Sequence, residues 1–189
     1  MQSPNHDGSS EWYSFVRMNI RHIRQTWILC FHLALSITWG ESGFAQVVGE
    51  IGEMDRLEQQ ADDAIANEDP EGAALSIGKA ALMAGLIGRK EETPHARLLY
   101  QAAETLFRGQ EQGYQAIALF ERAGGQPPAS KGVCRFLSHA AEMVKESGKD
   151  LKALEDFNKE SLKERRQRHI AKSKEWGDLL QGLQQDLSC

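Results

Sequence analysis

From Gln46 to the C-terminus, apolar and small residues return every three or four positions, and no stretch alternates β-branched or aromatic residues with polar ones. That periodicity calls for helices and argues against sheet. Ala, Leu, Glu, Gln and Lys dominate the segment, and all are good helix formers. A first helix is expected over 48–66, with Val48, Ile51, Met54, Leu57, Ala61 and Ile65 on one face. A second is expected over 71–87; its run AALSIGKAALMAGLI is apolar on nearly every side, the pattern of a helix buried among neighbours. Lys79 in its middle and its limited length argue against a membrane span.

Punctuation supports the division. Asp69-Pro70 and Thr93-Pro94 each offer a cap followed by a first-turn proline. Residues 88–92 read as a charged linker. A third helix is expected over 95–108 with Gly109 as its left-handed stop, and a fourth over 112–123, ended by Gly124-Gly125. Ser130 can cap a fifth helix carrying Val133, Phe136, Leu137, Ala140, Ala141 and Val144, with Gly148 ending it. A sixth is expected from near Asp150, with Leu151, Leu154 and Phe157. Beyond it Leu162, Ile170, Trp176, Leu180, Leu183 and Leu187 form an interrupted apolar stripe. That stretch either continues the sixth helix or folds back near Arg168. Trp176 is expected to pack against the rest; the same spacing also suits a dimer seam.

The spacing Ala116-x3-Phe120-x2-Ala123, with Pro128 beyond and Tyr100 and Phe107 on the preceding helix, resembles a tetratricopeptide repeat over 97–130. A second match runs over 134–167, with Ala153-x3-Phe157, and a weaker one over 54–87. Glu104 and Glu160 stand where that family keeps small residues, and the repeats are unevenly spaced. The resemblance implies an all-α fold of antiparallel helix pairs stacked as a short tetratricopeptide-like α-solenoid with a C-terminal capping helix. An unrelated helical bundle shares the same periodicity and stays open. In the resembled family the first helix of each unit lines a concave binding surface. Carried over, this makes Gln101, Thr105, Arg108 and Ser138 the candidate contact residues.

The first 45 residues read as an address. Arg17, Arg21 and Arg24 precede a nearly uncharged apolar run over 27–39, and Gly43-Phe44-Ala45 offers a small-x-small cleavage site before Gln46. The run is too short to span a bilayer, which needs about 20 residues. A signal peptide over 18–45 is therefore expected, with 1–17 either a disordered extension or a stretch upstream of a true start at Met18. The helical-repeat domain is expected over 46–167 and the C-terminal helix over 168–189. The product is expected to be exported, periplasmic or extracellular. Of three cysteines, Cys134 and Cys189 remain after cleavage. An oxidising compartment permits a bridge between them; packing of Cys134 as a small buried hydrophobe is the favoured alternative.

At 189 residues, 41% of them hydrophobic and 26% charged, the chain can build one packed domain. A net charge of -5 argues against a general nucleic-acid partner. Acidic residues crowd 50–71, basic ones 159–174. Each run suits a solvated face; mutual attraction, self-association or docking of a charged partner are the functional readings. His139 with Glu142, and His95 after Glu91-Glu92, fall short of the three ligands a metal needs. HExxH, CxxC, a phosphate loop and G-x-S-x-G are absent, so no catalytic residue, metal or cofactor is expected. The expected function is an exported, non-enzymatic scaffold that binds a protein or peptide, possibly a copy of itself. The alternative is a structural envelope component that oligomerises through its C-terminal helix.

Overall fold

The computed structural model describes residues 42–154 and 159–189, with side chains from Gly49 onward. The expected signal segment up to residue 41 and Phe157 lie outside the described residues. Five helices follow one another: α1 (Ser42–Ala66), α2 (Pro70–Lys90), α3 (Pro94–Arg122), α4 (Lys131–Ala153) and α5 (Glu160–Asp186). The described residues contain no strand. The expected cleavage point, between Ala45 and Gln46, falls in the first turn of α1.

The helix ends follow from local chemistry. The Asp69 carboxylate accepts from the Gly72 N–H at 2.8 Å, and Pro70 occupies the first helical position. The Ser130 hydroxyl accepts from the Val133 N–H at 3.3 Å. Thr93 departs from expectation: its side chain caps nothing, and Pro94 alone begins α3. α1 and α3 close with the same six-to-one hydrogen bond, Asp69 N–H to Ala64 C=O and Gly125 N–H to Phe120 C=O, both 3.0 Å. Gly124 serves the second with φ of 97°, whereas Glu68 serves the first with φ of 63°.

Each helix packs antiparallel on the next, so the fold is all-α, built of adjacent helix pairs in a short solenoid-like stack that α5 closes. α5 also touches α3, running parallel to it: Phe107 meets His169 and Tyr114 meets Trp176, both edge to face. Met54, Ile77, Leu106, Leu137 and Leu180 are among the fully enclosed side chains. Leu99, Ala102, Leu151 and Leu154 form a second apolar cluster, against which Leu162 and Ile170 pack.

Three expected boundaries are corrected. The third and fourth helices are one uninterrupted helix, α3, through Gly109. The apolar face runs on from Leu106 and Phe107 to Tyr114 and Ile117 without changing sides, so nothing in the packing asks for a turn. Gly109 and Gly113 instead permit close crossings. A Cβ on Gly109 would lie 2.8 Å from Val144 Cγ2, and one on Gly113 2.7 Å from Trp176 Cζ3. The helix-turn-helix unit expected over 97–130 is therefore a single rod. Gly148 likewise does not end the fifth helix: α4 passes through it to Ala153, and the Ser173 hydroxyl packs against it. No helix begins at Asp150. The chain turns at Leu154, and α5 starts at Glu160 and crosses Arg168 without a break.

The C-terminus is pinned. Cys134 and Cys189 form a disulfide with Cα atoms 5.2 Å apart, and the Ala129 N–H donates to Leu187 C=O at 2.9 Å. This corrects the favoured reading of Cys134 as an unpaired hydrophobe. The two cysteines are 55 residues apart, a distance that periodicity cannot bridge.

Candidate functional site

Gln101, Thr105 and Arg108 recur at intervals of four and three, which sets them in one stripe on the solvent side of α3, and Gln112 continues it. Gln101 is exposed, and its carbonyl accepts the Thr105 hydroxyl at 3.2 Å. The Arg108 guanidinium donates to Glu111 at 2.8 Å. At Gln112 the stripe meets α4. There Gln112, Arg135, Phe136, Ser138, His139 and Glu142 line an open depression of about 420 Å³. The exposed Ser138 lies in it and accepts from Gln184 of α5 at 3.4 Å. The fold thus brings Ser138 to the end of the stripe, while Gln101, Thr105 and Arg108 stay outside the depression.

Phe136 is half-buried and lines it together with one guanidinium, one imidazole, one carboxylate, one hydroxyl and one amide. A short segment with an apolar side chain flanked by charges complements such a surface. Arg135 presents the fork geometry that carboxylates fit.

The opposite side of α3, reached two residues further on and roughly 200° round the helix, packs Phe107 and Tyr114 against α5, beside a polar network among the described residues. Here acidic α1 meets basic α5. Arg165 grips Asp55 with both terminal nitrogens, at 2.7 and 3.0 Å, and Arg168 adds a contact at 3.3 Å. Lys172 lies 2.7 Å from Glu58 and 3.4 Å from Asp62. Of the functional readings of the two charge runs, mutual attraction within the chain is the one realised at these positions.

Burial shapes the chemistry of this network. It raises the Glu58 carboxyl, but Lys172, His169 and Arg168 together outweigh it and hold the group below its usual range. Burial, joined by the neighbouring Glu58 and Asp63 charges, lifts the Asp62 carboxyl despite Lys172. Burial lowers the Lys172 ammonium, yet Glu58 and Asp62 together outweigh it and keep the group more basic than usual. His169 is fully enclosed; desolvation pulls its pKa down to about 4, against the pull of Glu58. Neither of its ring nitrogens has a hydrogen-bond partner, and the ring packs edge-on to Phe107 at 5.5 Å. The imidazole is thus a neutral core residue at neutral pH.

Sequence reasoning gave the attraction of the two charge runs as one reading but missed the buried polar pair His169 and Ser173 beside them. That pair's signal was present: His169, Ser173, Trp176, Leu180, Leu183 and Leu187 follow 4-3-4-3-4 spacing, so the gaps in the apolar stripe are filled by a histidine and a serine. The Ser173 hydroxyl donates to Val144 C=O at 2.9 Å. Among the described residues no group of three His, Cys, Asp or Glu is placed to hold a metal, and no helix is long and apolar enough to cross a membrane. No protein family, no curated protein and no solved structure matches this chain.

Proposed function

We propose that the protein is an exported, non-enzymatic helical-repeat scaffold that binds a protein or peptide. The observation that carries this reading is the open depression around Phe136, with Arg135, His139 and Glu142 at its rim and the stripe Gln101, Thr105, Arg108 leading into it. It offers an apolar contact and charges of both signs, the composition of a peptide-binding surface. Export is supported by the Cys134–Cys189 bridge, a bond that persists in oxidising compartments. The basic-apolar-small order of residues 17–45 supports it independently. Assembly through the C-terminal helix is the less supported alternative, because Trp176, Leu180, Leu183 and Leu187 are buried within the chain.

Selection of random peptides against the oxidised chain tests the reading. Enriched peptides are expected to shift the amide resonances of Phe136, Ser138 and His139, and to lose binding to Phe136→Ala and Arg135→Glu. Absence of enrichment, or turnover of a substrate at this surface, overturns it. N-terminal sequencing of the protein recovered outside the cytoplasm is expected to begin at Gln46; an intact Met1 or Met18 overturns export by cleavage.

A further inference from the structure

The buried stripe of α5 removes one surface for self-association, and α2 supplies another. Leu75, Leu82 and Leu86 are 61%, 54% and 41% exposed, although α2 is otherwise the helix richest in enclosed alanine and glycine. With the exposed Lys79 they stand at positions 75, 79, 82 and 86. That 4-3-4 spacing is the seam of two helices lying side by side. Charge is polarised along the same face: Glu71 opens it, and Arg89 and Lys90 close it.

We propose that this face binds a second copy of the chain, with the two α2 helices antiparallel about a two-fold axis. The register is self-consistent. Setting Leu75 against the partner's Leu86 also sets Lys79 against the partner's Leu82, and Glu71 beside the partner's Arg89 and Lys90. Every apolar position then meets the partner, and each end sets the exposed Glu71, 3.4 Å from Arg122 of its own chain, beside the partner's exposed Arg89, while Lys90 is bridged to Glu50 within the chain. The Lys79 stem covers the partner's Leu82 while its ammonium reaches solvent. A recess of about 290 Å³ beside Leu75, lined also by Glu71, Ala74, Glu111, Gln115, Ala118 and Arg122, is placed to receive the partner's Leu86. A symmetric pair of this kind uses one patch twice and closes, so the assembly stops at two.

The inference is independent of the peptide-binding reading, since α2 does not contribute to the depression around Phe136. Sedimentation velocity of the oxidised full chain, and of the species beginning at Gln46, tests it over a range of concentrations. A monomer–dimer equilibrium is expected for both, and Leu82→Glu is expected to weaken it at least about tenfold with helicity and Tm retained. Glu71→Arg alone and Arg89→Glu alone each weaken the dimer; combined in one chain they restore it, because the two positions face each other across the axis. A mixture of Leu75→Cys and Leu86→Cys chains is expected to cross-link. A monomer at every concentration, failure of the combined variant to recover, or a monomer whose Leu82 governs binding to phosphatidylcholine–phosphatidylglycerol vesicles overturns the proposal. Dimerisation of the full chain alone, lost when residues 1–45 are removed, overturns it as well.

Discussion

The Lys172 ammonium lies 2.7 Å from the Glu58 carboxylate, 114 residues earlier in the chain, with only 17% and 10% of the two side chains exposed. This pair and its Asp55–Arg165 neighbour tie the first described helix to the last. Removing one member strands the other charge in a desolvated site. Lys172→Met is therefore expected to destabilise the fold by about 3 kcal/mol in urea denaturation. Adding Glu58→Gln is expected to recover part of that loss, a coupling of about 1–3 kcal/mol. Simple additivity of the two substitutions would show that the pair is solvated.

His169 makes stability depend on pH. Folded, its pKa is about 4 against 6.5 for the free side chain. Unfolded chains therefore take up a proton between these values while folded ones do not. Stability is complete above pH 6.5 and falls as pH drops toward 4, by about 3 kcal/mol from this group. Glu58, held low, adds loss in the acid range; Asp62, held high, opposes it. His169→Leu is expected to flatten the decline between pH 6.5 and 5, measured by urea titrations at each pH. An unchanged slope would place the proton elsewhere.

Gly109 separates the single-rod α3 from a helix-turn-helix. An alanine there would crowd Val144 Cγ2 at 2.8 Å and the Ala140 C=O and Val144 N–H at 3.2 Å, two of them backbone atoms that cannot step aside. Overpacking costs roughly 1–3 kcal/mol, and the higher helix propensity of alanine returns about 1. Gly109→Ala is expected to lower stability by about 1 kcal/mol. A gain in Tm would mean that the crossing is looser than described.

The disulfide closes a loop of 55 residues around α4 and α5. Cys189→Ala is expected to cost about 2–4 kcal/mol, by loosening the unfolded chain. Hydrogen exchange should rise first at the C-terminal end of α5, where the Ala129–Leu187 hydrogen bond also sits. Exchange unchanged there would show that Trp176, Leu180 and Leu183 alone hold the helix in place.

The placement of the candidate contact residues was partly legible. The tetratricopeptide resemblance singled out Gln101, Thr105 and Arg108 as contact candidates, and the structure sets the three in one stripe of α3. Spacing could not bring Ser138 to Gln112, because that meeting depends on how α4 lies across α3. The same gap hid the role of the glycines. A glycine that ends a helix and one that lets a neighbour approach are the same letter, and only the partner helix tells them apart. At Gly124 the left-handed φ of 97° makes it a stop; at Gly109 the nearby Val144 makes it a crossing.

What the residues alone determined is what depends on near neighbours in the chain: helical periodicity, the caps at Asp69 and Ser130, the stop at Gly124 and the small-residue character of α2. These rest on hydrogen bonds and side-chain spacing within a turn or two. What the tertiary structure decided is every relationship between distant residues: the union of Cys134 with Cys189, the burial of His169, the meeting of acidic α1 with basic α5, and the leucines of α2 left facing outward. Those outcomes depend on which faces of different helices find each other in space, and a one-dimensional pattern names the faces without pairing them.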